Sequence, residues 1–582
     1  MPNDIWGYYE KSPELKILDK EVTHKNKKIY YITQFFIHRD PKRAKEIRFC
    51  MKKLSKVKAL TKIILLNERI YTDKELGVSS DNIEQVDMGE RFTFKHVFDY
   101  IQSAKLKGYI VFGNSDIFVD ETIRVLLKTN LHLEKSFIGL LRYDYNVKNR
   151  LYKIFGPRFD SQDTWIIHSN QNVGEKFRKA FDFKFGMPAC DNKVFYLMKI
   201  LGYKVYNTPL VVKIYHVHDS EVRDQNFKTD ILHKPFLFLD PPFYTMRKAK
   251  IVHGDGNARI YQRYFDIMDK TNELTKYTMS DNDVFRNYIS EKIAKNENFI
   301  ITSVFGIESD YARVILLKLH NQNNPDDRFF KQANTFIKDN TKKMEDEAMV
   351  AFKDEKESAV YAQIYMNIMR HCDKILTYEL FNESNSYLKY SQDFILGNFQ
   401  KEELWARVLE VYQFLYNKPW TNSLKGKRLL FISDKADIFK AQAKNMKKIY
   451  KRDLFPECEL LFHKMDYFKG HALYDKNFNA VFSTLVNALN RRKHEYDIIL
   501  TDCKGYNNLV CDYAFNNGKS CIYIGDVMCM YFGVVNKEWS EHCKDILLLF
   551  KNKYWYDERD GRDAKKKSDV VNINIGQNTV MQ

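Results

Sequence analysis

Residues 109–121 read Tyr109-Ile110-Val111-Phe112-Gly113-Asn114-Ser115-Asp116-Ile117-Phe118-Val119-Asp120-Glu121. The apolar run 109–112 has the length and composition of a buried strand, and it stops abruptly at Gly113, Asn114, Ser115 and Asp116. Polar side chains therefore stand at the carboxyl end of a core strand. In open α/β sheets ligands bind at that edge, and a carboxylate there suits a hard divalent cation that also holds substrate phosphates. The plainer alternative is an Asx turn in which Asp116 caps the next helix, because Asn-Ser-Asp is common turn chemistry.

On the N-terminal side, residues 28–37 are β-branched and aromatic, as a first core strand should be. Ala44, Ile47, Met51 and Leu54 then recur at spacings of three and four, which predicts one stripe of an amphipathic helix. A second strand is predicted over 62–66, and further strands over 109–112 and 137–141. Strand, helix, strand is the opening of a parallel α/β sheet.

Composition narrows the class. Aromatic residues make up 15% of the 582, with 37 Tyr and 42 Phe, which excludes a disordered chain. Lys and Arg exceed Asp and Glu by 93 to 76. Almost half of that excess lies in residues 1–60, with fifteen basic and seven acidic side chains, many on the polar face of the predicted helix. A solvated face explains them better than a nucleic-acid site, since no stacking motif or zinc-finger spacing accompanies them. The nine cysteines are scattered and contain no Cys-x-x-Cys pair, so reduced thiols are expected. The opening Met-Pro-Asn-Asp is not a signal peptide, and no apolar run approaches the roughly 18 residues of a membrane span. The expected location is cytoplasmic, with any membrane association peripheral.

Three further stretches carry chemistry. Arg158-Phe159-Asp160-Ser161-Gln162-Asp163-Thr164-Trp165 gathers carboxylates, an amide and a hydroxyl ahead of an apolar strand. Such a loop can bind sugar hydroxyls, with Trp165 offering an apolar face; Gln162 is expected at the donor and Asp163 among the catalytic groups. A surface loop of Asp turns is the alternative. Gly186-Met187-Pro188-Ala189-Cys190-Asp191-Asn192 leads into an apolar helical stretch closed by Gly202-Tyr203-Lys204-Val205. Asp191 stands in the first turn, where it is either an N-cap or a base projecting over the sheet. Finally, an apolar strand over 211–214 runs into His216-Val217-His218, and period two puts both imidazoles on one side, as a metal or diphosphate site requires.

Taken in order, these motifs resemble a GT-A-fold glycosyltransferase of the type found in large algal and amoebal viruses and some bacteria, over roughly residues 28–225. The resemblance implies an Asp-x-Asp motif holding a divalent cation, commonly Mn2+ with Mg2+ as the other candidate, and through it a nucleotide-sugar diphosphate. Asn114-Ser115-Asp116 occupies that motif, with Asp116 as carboxylate ligand and Asn114 in place of the first acid. Asp191 matches the general base of inverting members, and His218 or His216 matches a late histidine of the metal shell.

The second half alternates again. Strands are predicted over 299–304, 374–378, 428–432, 459–462, 497–500 and 521–524, with helices over 350–370, 436–449, 479–493 and 509–515, the pattern of a doubly wound sheet. It resembles a GT-D-like glycosyltransferase domain over roughly 290–540. The matches are Lys418-Pro419-Trp420-Thr421, Leu424-Lys425-Gly426-Lys427, Tyr496-Asp497-Ile498-Ile499-Leu500, Gly518-Lys519, Gly525, and Phe532-Gly533 with Trp539. In that family an Asp-x-Glu motif binds metal. Glu308 is its second acid, Gly306 stands at the first, and Gly505 and Gly525 belong to the donor-binding turns.

The expected organisation is an N-terminal extension (1–27), a GT-A-like domain (28–235), a linker (236–275), a GT-D-like domain (276–555) and a flexible tail (556–582). The expected activity is metal-assisted transfer of a sugar from a nucleotide-sugar donor to a glycan or polysaccharide acceptor, inverting if Asp191 is the base, with no nucleic-acid partner. The alternatives are a metal-dependent phosphoryl or nucleotidyl transferase, and a basic non-catalytic nucleic-acid or assembly protein.

Overall fold

The computed structural model describes residues 7–23, 26–155, 160–217, 232, 236–242, 281–304, 306–320, 328–377, 386–410, 418–466, 477–536, 540 and 544–557. The chain divides into two units, 1–279 with 542–549 and 280–541 with 550–582. Each is α/β and each is built on a seven-stranded sheet.

In the first unit the strands are β1 (Gly7–Lys11), β2 (Lys28–Thr33), β3 (Lys62–Asn67), β4 (Ile83–Asp87), β5 (Gly108–Gly113), β6 (Ile117–Val119), β7 (Ser136–Leu140), β8 (Tyr143–Tyr145), β9 (Tyr152–Ile154), β10 (Thr164–His168), β11 (Lys204–Tyr206), β12 (Ile214–His216) and β13 (Phe236–Asp240). The main sheet has the order β11-β7-β10-β5-β2-β3-β4. A four-stranded sheet, β6-β12-β8-β9, carries the residues that come after β5 and β7.

The helix Pro41–Leu54 returns the chain from β2 to β3. Asp40 caps it, accepting from the Lys42 and Arg43 amides at 2.7 and 3.0 Å, and proline opens its first turn where a missing N–H costs nothing. Ala44, Ile47, Met51 and Leu54 are all buried, as their spacing requires.

Three expectations change here. The sheet is only mostly parallel: β10 runs antiparallel to both β5 and β7, a choice of direction that the apolar pattern of a buried strand does not encode. Trp165 is fully buried among Phe94, Phe112 and Phe185, with ring centroids 4.8, 6.1 and 5.4 Å away, and so offers no face to a sugar. The expected extension and the start of the expected linker form a two-stranded parallel pair, β1 with β13, whose residues 236–240 are buried. Phe236-Leu237-Phe238-Leu239 is apolar enough to demand it.

The second unit contains β14 (Ile300–Ser303), β15 (Lys374–Thr377), β16 (Glu402–Trp405), β17 (Arg428–Ser433), β18 (Glu459–Lys464), β19 (Ile498–Asp502) and β20 (Ser520–Tyr523). Their order is β16-β15-β14-β20-β19-β17-β18, parallel throughout. Such strands are buried on both faces, which explains their continuous apolar runs. The helix predicted over 436–449 is two, Ala436–Ala443 and Met446–Tyr450. β16 has no clear apolar pattern and escapes a reading of the sequence.

None of the eight described cysteines forms a disulfide, and all but Cys458 are buried. Among the described residues no helix is long and apolar enough to cross a membrane.

Candidate active site

In the first unit the chain winds from β2 outward through β3 to β4, whereas β5 pairs on the other side of β2. The strand order therefore switches between β2 and β5, and a crevice opens there beyond their carboxyl ends. Asn114, Ser115 and Asp116 leave β5 at that point. A cleft of about 340 Å3 lies over it, lined by these three residues together with Gln34, Arg43, Arg142, Gln162, Asp163, Asp191 and His216.

Strand direction brings the motifs together. Because β10 is antiparallel to β5, with Thr164 opposite Gly113, the loop that precedes β10 arrives at the edge where β5 ends. The Asn114 amide N–H donates to the Asp163 carbonyl at 3.1 Å, and the Asn114 side-chain nitrogen to Asp163 Oδ1 at 2.8 Å. The Gln162 amide donates to Asp191 Oδ2 at 3.1 Å. The antiparallel pairing of β12 with β6 sets His216 opposite Ile117, so its Nε2 lies 3.1 Å from Asp116 Oδ2. His218 lies outside the described residues.

Asp191 is not the helix cap. The helix Cys190–Ile200 is preceded by Ala189 in the left-handed region, with no side-chain cap, and Asp191 is its second residue. Its carboxylate accepts from the Gln162 and Asn192 amides, the latter at 3.0 Å. Burial, with the charges of Asp163 and Asp160 adding to it, outweighs those two bonds and pushes the carboxyl up to about 7. That is the range a general base needs at neutral pH.

Asp116 is the opposite case. Burial alone would raise it, but the His216 and Arg43 charges hold it well below the usual carboxylate range. Arg43 bonds Asp116 Oδ2 through Nη2 and Glu46 through Nη1 at 2.7 Å. His216 Nδ1 faces Asp144 Oδ1 at 3.7 Å, Arg142 Nε reaches Asp144 at 3.2 Å, and Arg142 Nη1 reaches Asp163 Oδ2 at 2.7 Å. Burial and Arg142 push His216 down, Asp116 and Asp144 push it up, and the carboxylates prevail. A line of alternating charge thus runs from Glu46 to Asp163 along the cleft.

In the second unit Glu308 lies in the first turn of the helix Ile307–His320, beyond β14, and is buried; its carboxyl is raised to about 7 by that burial. Gly306 has φ +83, and a Cβ there would meet Glu308 Oε2 at 2.0 Å. The position resembling the first acid of Asp-x-Glu therefore has no room for an acid while Glu308 is folded back on it. Gly525 opens a short 3-10 turn immediately after β20.

Gly505 does not have the free N–H of a phosphate-binding turn. Its amide donates to the Ala348 carbonyl at 2.9 Å, its carbonyl accepts from Tyr361, and a Cβ would meet Val350 Cγ2 at 2.6 Å. Gly505→Ala is expected to cost about 1–3 kcal/mol through overpacking. Denaturant unfolding of the variant, read beside its nucleotide affinity, checks this: stability should fall and affinity should not.

No family model and no curated protein matches the sequence. Solved structures do match parts of it. A crystal structure of GalNAc-T7 with UDP, GalNAc and Mn2+ aligns at 10% identity over 34% of this chain and 45% of that one, TM-score 0.24. The 4-diphosphocytidyl-2C-methyl-D-erythritol synthase of Anaerococcus prevotii aligns at 14% identity over 35% of this chain and 95% of that one, TM-score 0.21. The domain of unknown function 1792, described as having a distinct glycosyltransferase fold, aligns at 12% identity over 45% of this chain and 85% of that one, TM-score 0.23. The chain thus spans less than half of the GalNAc-T7 chain.

A divalent cation fits the cleft in a limited way. Among the described residues no three His, Cys, Asp or Glu side chains form a metal shell. Asp116 Oδ1 is nevertheless buried without a hydrogen-bond partner, and one carboxylate plus substrate phosphates and water is a usual Mg2+ or Mn2+ environment. His216, expected as a ligand, has Nε2 3.1 Å from Asp116 Oδ2 and Nδ1 3.7 Å from Asp144 Oδ1. Arg43, Arg142 and Gln34 were missed in the sequence. Arg43 and Gln34 come soon after β2, so only knowledge that β2 borders the switch point marks them out.

Proposed function

We propose that the first unit transfers a sugar from a nucleotide-sugar donor to a hydroxyl of a glycan or polysaccharide acceptor, with inversion. The observation that carries this reading is the meeting, in one cleft, of a carboxylate tuned to about 7 and a second carboxylate kept ionised beside Arg43 and His216. Glycosyl transfer needs both: a base for the acceptor proton, and compensation for charge developing on the departing diphosphate.

In this reading Asp191 takes the proton of the acceptor hydroxyl on a carboxylate oxygen as that hydroxyl attacks the anomeric carbon. Asp116, through Oδ1, and Asn114 would hold a divalent cation, preferably Mn2+, which when bound neutralises the diphosphate. Arg43 and Arg142 keep the acids oriented, and Gln162, whose backbone N–H is spent on Asp191, adjoins the sugar. The second unit is read as a further transferase, with Glu308 and Gly525 at the carboxyl ends of β14 and β20 the residues nearest a donor. A cytoplasmic setting, in keeping with the unpaired thiols, belongs to the same reading.

Incubating the full-length protein with UDP-, GDP- and TDP-sugars and Mn2+ tests it. The expected result is release of a nucleoside diphosphate with one of the donors, faster when a glycan acceptor is present. Release of pyrophosphate from a nucleoside triphosphate plus sugar phosphate, with no diphosphate from any donor, would replace it with nucleotidyl transfer.

A further inference from the structure

Asn114 occupies the position where the resemblance implies an acid, and its surroundings show where the missing charge went. The Asn114 side-chain nitrogen donates to Asp163 Oδ1 at 2.8 Å. An ionised carboxylate has no proton to give, so the NH2 end of the amide must face it and the carbonyl end must face away. The carbonyl oxygen takes no hydrogen bond among the described residues, and Asn114 lines the cleft beside Asp116, whose Oδ1 is also without a partner.

Asp163 is itself fixed. Its second oxygen accepts from Arg142 Nη1 at 2.7 Å, and Arg142 is tied to Asp144 and lies over the Phe155 ring with its guanidinium carbon 4.0 Å from the centroid. The Asp163 carbonyl is held by the Asn114 amide at 3.1 Å. Both oxygens of its carboxylate are thus held in place, Oδ1 by Asn114 and Oδ2 by Arg142, as a residue that orients its neighbours requires.

We infer that Asp163 is a positioning residue that turns Asn114 into a ligand of fixed polarity, presenting the amide oxygen beside Asp116 Oδ1 toward a divalent cation, while the negative charge an acid at 114 would carry resides on Asp163. This rests on the reading of the cleft as a metal-assisted donor site. The consequence runs against intuition: restoring an acid at 114 harms the site, because Asn114→Asp sets two carboxylates within hydrogen-bond distance of each other. The exchanged pair, Asn114→Asp with Asp163→Asn, keeps the charge and the bond. There the new amide donates to residue 114 and its oxygen accepts from Arg142.

The test is a double-mutant cycle on the full-length protein, read by calorimetric titration with Mn2+ alone and by thermal melting without metal. Removing the orienting partner of a metal ligand typically costs 10–100-fold in affinity. Asn114→Asp is therefore expected to bind Mn2+ at least about 10-fold more weakly than wild type and to melt lower. The exchanged pair should recover both, the affinity to within about threefold. A single variant that binds Mn2+ as tightly as wild type or tighter, an exchanged pair no better than the single variant, or a wild-type chain that binds no Mn2+ would each overturn the inference. Its fate is separable from that of the transferase reading. Donor turnover without metal would sink the first and spare the second, whereas rescue of Mn2+ binding with no turnover of any sugar nucleotide would do the reverse.

Discussion

Asp191→Asn is expected to lower the rate of sugar transfer by about 10^2–10^4-fold, the usual worth of a positioned general base. The wild-type rate should rise with pH and level off above about 7, where Asp191 loses its proton; an ordinary carboxylate would give a flat profile from about pH 5. The stability prediction has the opposite sign. Because the folded-state value lies above the ordinary value of 3.8, the native protein retains a proton that the unfolded chain has lost between those limits. Linkage then makes the Asp191 contribution fall as pH rises through that window, with the full destabilisation present above about 7. Asparagine carries no charge to bury; its single oxygen accepts from one of the Gln162 and Asn192 amides, and the bond lost to the other is a cost that does not change with pH. The melting temperature of the variant relative to wild type should therefore increase from pH 5 to pH 8. An unchanged rate, or a relative melting temperature that falls over that range, would remove Asp191 from the chemistry.

Asp116→Asn is expected to abolish donor turnover to below about 1% of wild type, and to cost about 3 kcal/mol of stability. The second figure comes from leaving a partner charge buried without its counter-ion. Arg43 and Asp116 side chains are only 18% and 7% exposed; Glu46 still holds the other end of the guanidinium, which keeps the cost near the low end of that mechanism. Denaturant unfolding measures the stability, and donor hydrolysis well below the melting range measures the activity. A third readout separates a local from a global effect. Asp116 is one of the groups that raise the His216 ring, so in the variant the histidine should titrate at lower pH by NMR. Because Asp116 is held below its ordinary value, its contribution to stability is present at neutral pH and is lost only under strong acid. A variant with wild-type stability at pH 7 would mean that the pairing with Arg43 is not formed in solution.

Much of the architecture is legible residue by residue. The apolar runs beginning at Lys28, Lys62 and Gly108 are strands, and the stripe from Ala44 to Leu54 is the buried face of a helix, because local hydrophobic period is set by burial on one face. The turn residues after β5 also announced themselves. Nothing that depends on a distant partner did. Thr164–His168 reads equally well as a parallel or an antiparallel strand, yet only the antiparallel choice puts Asp163 beside Asn114. Trp165 looked like a sugar platform and is a core residue. Gly505 looked like a phosphate turn and is a packing contact, because the Val350 and Ala348 atoms that claim its space lie more than 150 residues away in the chain.

Local pattern and turn chemistry were enough to place most strands and helices, to separate two successive α/β units, and to show acids and amides clustering at strand ends. Which of those ends share a cleft, and in what state they stand there, emerged with the folded chain alone. Strand order and direction arise from non-local hydrogen bonding and core packing. The protonation of Asp191 and the ionisation of Asp116 come from desolvation and from the particular charges brought beside each, and a carboxylate carries no mark of either until the chain has folded around it.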